Sequence, residues 1–173
     1  MTTCALVGIP GSGKSTVGRE LAKRLSVDFI DTDRAIERNA GKSVSDIFVQ
    51  DGEENFRKLE KVAVLDALKN ASAVVSLGGG AVIDGDVRAA LKQHKTFWLQ
   101  TSIPSALRRT SMNQNRPLLL EAPRATLIRL LEQREAFYQE VARAAVVTDD
   151  KSIKTLVDEI GELLKSGEIN ESN

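Results

Sequence analysis

The chain has one cysteine, one histidine, one tryptophan and no net charge, and each shortage removes a class of explanation. A single Cys4 cannot close an intramolecular disulfide, and its setting among apolar residues marks a small buried side chain rather than a reactive thiol. Lysine and arginine together number 24, as do aspartate and glutamate, so no electrostatic bias draws the protein to nucleic acid or to a membrane surface. No apolar run approaches the length that spans a bilayer, and the opening Met1-Thr2-Thr3-Cys4-Ala5-Leu6 lacks a basic stretch followed by an apolar one. The expectation is a cytoplasmic protein with neither nucleic-acid nor membrane partners, and a monomer by default. His94, beside Lys95, reads as a surface residue at a helix end, and Trp98 as core in its strand rather than as a platform for a base. What remains is an ordinary mixture, 42% hydrophobic and 28% charged, of a length that fits one compact domain over residues 1–173.

Strand and helix signals alternate along that length. Thr3 to Val7 is a short apolar run stopped by Gly8, and Val17, Leu21 and Leu25 then recur every fourth residue from Lys14 onward. Val27 to Ile30 is a second strand, and Phe56, Leu59, Val62, Ala63 and Ala67 mark one face of a long helix. Ala73 to Leu77 is a third strand cut off by Gly78, Gly79 and Gly80, followed by a helix over Asp84 to Gln93. Thr96 to Gln100 is a fourth strand, and Pro104 stands in the first turn of a helix reaching Arg109. Ser111 to Pro123 is polar, proline-punctuated and aperiodic, which reads as a mobile loop. Ala125 to Ala144 returns to helix, Ala145 to Thr148 is a last strand, and Ile153, Leu156, Val157, Ile160 and Leu163 shape a closing helix before a tail over residues 168–173. Short buried strands alternating with helices predict an α/β chain, a mainly parallel sheet covered on both faces, with ligands at the carboxyl ends of the strands.

The strongest motif is Gly8-Ile9-Pro10-Gly11-Ser12-Gly13-Lys14-Ser15, which fits G-x-x-x-x-G-K-[ST] between a predicted strand and a predicted helix. Its glycines let backbone N–H groups turn inward as an anion nest, the helix start adds partial positive charge, and Lys14 reaches the β and γ phosphates of a nucleotide. Gly11, Ser12, Gly13 and Thr16 complete the cradle, and Ser15 ligates Mg²⁺. An Asn-Lys-x-Asp element for guanine is missing, and the later apolar strand ends in glycine rather than in an acid, which argues against a switch GTPase and a hydrolytic ATPase.

Other residues narrow the chemistry. Asp31 and Asp33 close the second strand with Thr32 between them, and strand alternation points both carboxylates the same way. One can hold the water shell of Mg²⁺ while the other orients an acceptor hydroxyl. The bland alternative is a helix N-cap at Asp33 with Asp31 solvated. Arg57, read alone, is a surface charge paired with Glu53 or Glu60, and Arg134 an exposed mid-helix residue. Gly78-Gly79-Gly80 at a strand end offers close backbone approach to substrate oxygens. Arg116 could swing onto the phosphates as a lid arginine.

Together, G-I-P-G-S-G-K-S-T from Gly8, D-T-D from Asp31, G-E-E-N-F-R-K-L-E from Gly52, L-G-G-G-A from Leu77, N-R-P-L-L from Asn115 and Arg134 beyond them resemble the shikimate kinase family. These small relatives of the nucleoside monophosphate kinases match from about Ala5 to about Leu164. The resemblance implies a three-layer α-β-α sandwich with a five-stranded parallel sheet in order 2-3-1-4-5, a substrate-binding helical region over about 33–61 and a lid over about 111–124. It implies ATP and Mg²⁺ on Lys14, Ser15 and the loop, with Asp31 supporting the metal through water. Shikimate would lie among Asp33, Arg57, Gly78, Gly79, Gly80 and Arg134, the two arginines on its carboxylate and Asp33 on its hydroxyls. Lys14, Asp33 and Arg116 would be catalytic, and the reaction would phosphorylate the 3-hydroxyl of shikimate in aromatic amino-acid biosynthesis. On the adenine side Arg109 could stack on the base, whereas Thr148-Asp149-Asp150-Lys151-Ser152 offers Lys151 but lacks the arginine and proline common in relatives. A gluconate kinase-like enzyme and a nucleotide-responsive module without turnover are the alternatives.

Overall fold

The computed structural model describes residues 4–70, 72–111 and 122–166. Five strands, β1 (Cys4–Val7), β2 (Asp28–Asp31), β3 (Ala73–Ser76), β4 (Thr96–Gln100) and β5 (Ala144–Val147), form one parallel sheet in the order β2-β3-β1-β4-β5. This is the order expected from the family resemblance. β1 is central, with Ala5 opposite Val75 on one side and Thr96 on the other.

The helices are α1 (Lys14–Leu25), α2 (Thr32–Ala40), α3 (Val44–Asp51), α4 (Glu53–Leu68), α5 (Gly85–Leu91), α6 (Ile103–Ser111), α7 (Pro123–Val141) and α8 (Ile153–Ser166), with a 3-10 turn at Ala81–Ile83. Because successive strand residues face opposite ways, β1 feeds two cores. Ala5 and Val7 pack with Val75 and Trp98 against Val64 of α4, Val87 of α5 and Leu127 and Tyr138 of α7. Cys4 and Leu6 pack with Val74, Phe97 and Leu99 against Leu21 of α1 and Leu156 and Ile160 of α8. Trp98 is core as expected, its ring 5.8 Å from that of Tyr138. Cys4 is fully buried, and burial pushes its thiol up to about 12, so it stays an inert hydrophobe. A third, smaller cluster of Ile36, Ile47 and Phe56 ties α2, α3 and α4 together beside the sheet.

Three readings need correction. The long helix does not bury Leu59 and Val62, which are 36% and 60% exposed; it buries Phe56, Glu60, Val64, Ala67 and Leu68. The apolar residues on the outer side mimicked a face, and the true inner face is broken by a glutamate. Asp31 and Asp33 do not share a strand: β2 ends at Asp31, which caps α2 by accepting the Arg34 N–H at 3.3 Å, and Asp33 stands in that helix's first turn. Helical geometry rather than strand alternation therefore aims Asp33. Arg134 is not exposed but 5% accessible on the inner side of α7. Elsewhere boundaries move by a few residues, as at α7, which starts with Pro123 in its first turn and stops at Val141. The loop read at Ser111 to Pro123 lies largely outside the described residues, as does the tail.

Candidate active site

The phosphate loop joins β1 to α1 in a shape that side chains would block. Gly11 has φ +82°, and a Cβ there would fall 2.5 Å from the Ala106 carbonyl oxygen; Gly8, at φ +149°, would meet the Leu99 carbonyl oxygen at 2.7 Å. The loop is thus pressed against the start of α6 and the end of β4, and glycine alone fits. Gly13 precedes α1 in the left-handed region, and that helix has no acidic residue in its first turn, leaving its positive end open to an anion. Ser12 and Lys14 are buried, while Thr16 is exposed one residue beyond Ser15. Lys14 Nζ donates to the carbonyl oxygens of Gly8 at 2.8 Å and Ile9 at 3.0 Å, so the ammonium is already folded back over the loop.

Ser15 Oγ donates to Asp31 Oδ2 at 2.7 Å, joining α1 to the end of β2. A hydroxyl and one carboxylate are hard oxygen donors of the kind Mg²⁺ takes when phosphates and water fill the rest of its shell. No group of three or more histidine, cysteine, aspartate or glutamate side chains suited to a metal occurs among the described residues. Arg109, exposed on α6, donates to Gly11 O at 3.2 Å, Thr101 Oγ1 at 3.3 Å and Thr148 Oγ1 at 3.1 Å, bracing the loop against the ends of β4 and β5. Lys151 is paired with Glu159 at 2.6 Å.

A second group of side chains converges on the glycine triplet after β3. A Cβ on Gly78 would stand 2.6 Å from Asp33 Oδ1 and 2.8 Å from Glu60 Oε1; one on Gly79, 3.2 Å from Gly8 O and 3.4 Å from Arg134 Nη1; one on Gly80, 2.8 Å from Arg57 Cζ. Three glycines thus form a floor on which Asp33, Glu60, Arg57 and Arg134 meet, and Gly79 makes that floor continuous with the phosphate loop. The Gly78 N–H donates to Thr32 Oγ1 at 3.2 Å, and Tyr138 donates its hydroxyl to Gly79 O at 2.7 Å. These bonds fix the triplet from both sides. Arg134 has its Nε buried without a hydrogen-bond partner among the described residues, an unmet donor that a bound anion would satisfy.

Arg57 is paired with Glu53 at 3.2 Å and Glu60 at 2.5 Å, as the local spacing allowed, yet it is no ordinary surface charge. Its guanidinium lies 5.9 Å and 5.4 Å from the ring centres of Phe48 and Phe56. Glu60, which the sequence pairs with Arg57 but does not bring into the site, is 3% exposed. Burial pushes its carboxyl up to about 7, against the pull of Arg57 and with reinforcement from Asp33. Tyr138 is likewise raised to about 12, chiefly by burial. The overlooked signal was a charged residue at the fourth position after Phe56 and before Val64, where the helical repeat demands an inward side chain. Of the residues singled out from sequence, the structure thus brings together Lys14, Ser15 and Asp31 in one group and Asp33, Arg57, Arg134 and the triplet in the adjoining one. Arg109 and Lys151 lie apart from the second group, and Arg116 is outside the described residues.

Comparison with known proteins identifies the family. A family model described as shikimate kinase matches residues 10–165. The chain is similar to the shikimate kinase of Salinispora tropica, 50% identical over 163 residues that cover 94% of this chain and 98% of that protein. It is similar to that of Mycobacterium tuberculosis, 48% identical over 148 residues, 85% of this chain and 84% of that protein. Among solved structures, shikimate kinase from Acinetobacter baumannii in complex with shikimate superposes with a TM-score of 0.91 at 37% identity, covering 95% and 93% of the two chains. A deoxyadenosine kinase from M. mycoides, at 19% identity and a TM-score of 0.63, shares the fold alone.

Proposed function

The chain belongs to the shikimate kinase family, and we propose that it transfers the γ-phosphoryl group of ATP to the 3-hydroxyl of shikimate, the step that leads to aromatic amino acids. The observation that carries this reading is the meeting of a phosphate loop and a floor of two carboxylates and two guanidiniums at Gly79. An acid that carries hydroxyls fits such a floor, its carboxylate on the arginines and a hydroxyl on Asp33.

Residue by residue, the backbone of Gly11 to Ser15 and the Lys14 ammonium hold the phosphates, and Thr16 and Arg109 support the nucleotide from α1 and α6. Lys151, drawn to Glu159, is at most a peripheral contributor on the adenine side. Arg57 and Arg134 hold the substrate carboxylate, and Gly78, Gly79 and Gly80 let it approach the backbone. Ser15 and Asp31 would hold Mg²⁺, which when bound offsets the negative charge of the phosphates. Asp33 aligns the acceptor oxygen and takes its proton late, since a loose transition state asks little of a base beforehand. Arg116 would stabilise charge on the moving phosphoryl group, an assignment that rests on its N-R-P-L-L setting.

Among the described residues no helix is long and apolar enough to cross a membrane; cytoplasmic location and a monomeric state are part of the proposal. The test is ADP release measured in a coupled assay with shikimate and gluconate in parallel, for the natural chain and for Lys14→Met. Turnover with shikimate alone, abolished in a folded Lys14→Met variant, is the expected result. Equal turnover with gluconate, or none with either acid, would overturn the reading.

A further inference from the structure

A second group of guanidiniums lies at the edge of the sheet and takes no part in the proposed transfer. β2 is an edge strand, and beside it α1 and α2 border an open cleft of about 570 Å³ lined by Arg19, Phe29, Asp31, Arg34, Glu37 and Arg38. Arg34 and Arg38 stand four residues apart on α2 and so share a face, and Arg19 comes from α1, one turn past Ser15. Among the described residues none of these three guanidiniums has an ion pair or a hydrogen bond; Arg19 lies over the Phe29 ring at 5.4 Å. Several other surface cations are matched, as Lys58 is with Glu54, Lys69 with Asp66 and Arg88 with Glu140; what sets these three apart is that they border one cleft.

The carboxylates in the cleft are engaged otherwise. Asp31 takes the Ser15 hydroxyl and the Arg34 N–H, and Glu37 Oε1 accepts the Val44 N–H at 3.1 Å. The arrangement is unfavourable when empty of anions. Arg34 places a cation in the first turn of α2, against the helix dipole, although Arg38 in the last turn is favoured by it, and Arg34 with Arg38 is a like-charge pair at the spacing that weakens a helix. A bound anion between Arg34 and Arg38 would offset both of the unfavourable terms. Three forked guanidiniums from two elements suit a dianion with several oxygens better than a single carboxylate. The cleft has the volume of a small-molecule site, and three arginines interrupted by two acids are too few for a nucleic-acid backbone.

We propose that this cleft is a second anion site, separate from the phosphate loop, that binds a small molecule through a phosphate group. The phosphate could be free or esterified, and two probes distinguish these. The protein is first saturated with ADP and Mg²⁺, with ADP binding measured by itself so that failure of the nucleotide reading shows there. Inorganic phosphate and glycerol 3-phosphate are then titrated in separate arms while the backbone amides of residues 28–38 and the Arg19, Arg34 and Arg38 Nε–H signals are followed by NMR. Saturable shifts confined to these signals are expected, tighter for glycerol 3-phosphate if an ester is the natural ligand and equal if free phosphate is. Arg34→Ala with Arg38→Ala, both at exposed positions and checked for an unchanged melt, should weaken binding by about ten-fold or more, the worth of one charge-assisted contact. ADP affinity should hold. Shifts that never saturate, or saturable shifts that survive the double substitution, overturn the proposal.

Discussion

Glu60→Gln tests which of two opposed effects rules the substrate side of the site. An arginine at 2.5 Å should pull the carboxyl down, whereas 3% exposure should push it up. Burial wins, taking the carboxyl from 4.5 to about 7. The unfolded chain titrates near the ordinary value, so between pH about 4.5 and about 7 the folded protein keeps a proton that the unfolded chain has released. A folded state that binds more protons loses stability as pH rises, and a difference of this size is worth on the order of 3 kcal/mol across the window. Glutamine keeps the shape without the titration. The unfolding free energy of the natural chain minus that of Glu60→Gln should therefore fall by on the order of 3 kcal/mol from pH about 4.5 to pH about 7.5, and be level on either side. Urea titrations at closely spaced pH, read by the fluorescence of Trp98, the one tryptophan, give the difference curve. A curve that does not change with pH refutes the argument, and one that rises would mean that Arg57 dominates.

The same floor supports three further tests. Arg57→Lys keeps the charge but not the fork, and should cost about 1.5–3 kcal/mol in kcat/KM for shikimate; equal efficiency with a carboxamide analogue would remove the carboxylate from the argument. Gly80→Ala places a methyl 2.7 Å from Arg57 Nη2, yet the backbone at φ −93° tolerates alanine, so stability should change by less than about 1 kcal/mol while shikimate KM rises; a normal KM would show that Arg57 is not held by the triplet. Asp33→Asn should lower kcat strongly and weaken shikimate, with ATP·Mg²⁺ affinity nearly unchanged by calorimetry; the opposite pattern would exchange the roles of Asp31 and Asp33.

Most of the fold was legible because its signals are local. The phosphate loop, the α1 repeat of Val17 and Leu21, and the apolar β4 each follow from neighbouring residues, and α1 and β4 fall within the expected limits. The substrate side was harder. Its residues come from α2, α4, the turn after β3 and α7, so no local pattern links Asp33, Glu60, Gly79 and Arg134, and the family resemblance had to supply the grouping. Arg134 read as exposed because its neighbours Glu132, Gln133 and Glu135 are polar, whereas burial on a helix is set one turn away, by Leu130 and Tyr138. Glu60 is hidden from the sequence for the complementary reason. Its charge signals a solvated side chain, and Leu59 and Val62 mimic an apolar face on the opposite side of α4.

The glycines explain how two sites from distant segments come close enough to exchange a group. Phosphoryl transfer requires the donor phosphate and the acceptor oxygen in near contact and in line, with no protein between them. Each site here is built on the carboxyl end of a strand, and β1 and β3 are neighbours in the sheet. The distance between their two loops is therefore fixed at that of adjacent strands, too short for a layer of side chains. Gly8 follows β1 and Gly79 follows β3, and a Cβ on Gly79 would already lie 3.2 Å from Gly8 O on one side and 3.4 Å from Arg134 Nη1 on the other. A side chain of ordinary size at Gly79 would have to displace either the phosphate loop or Arg134. Contact distance thus limits what each of the three positions can carry, against Asp33 and Glu60 at Gly78, the phosphate loop and Arg134 at Gly79, and the movable Arg57 guanidinium at Gly80, which is a stronger constraint than flexibility alone.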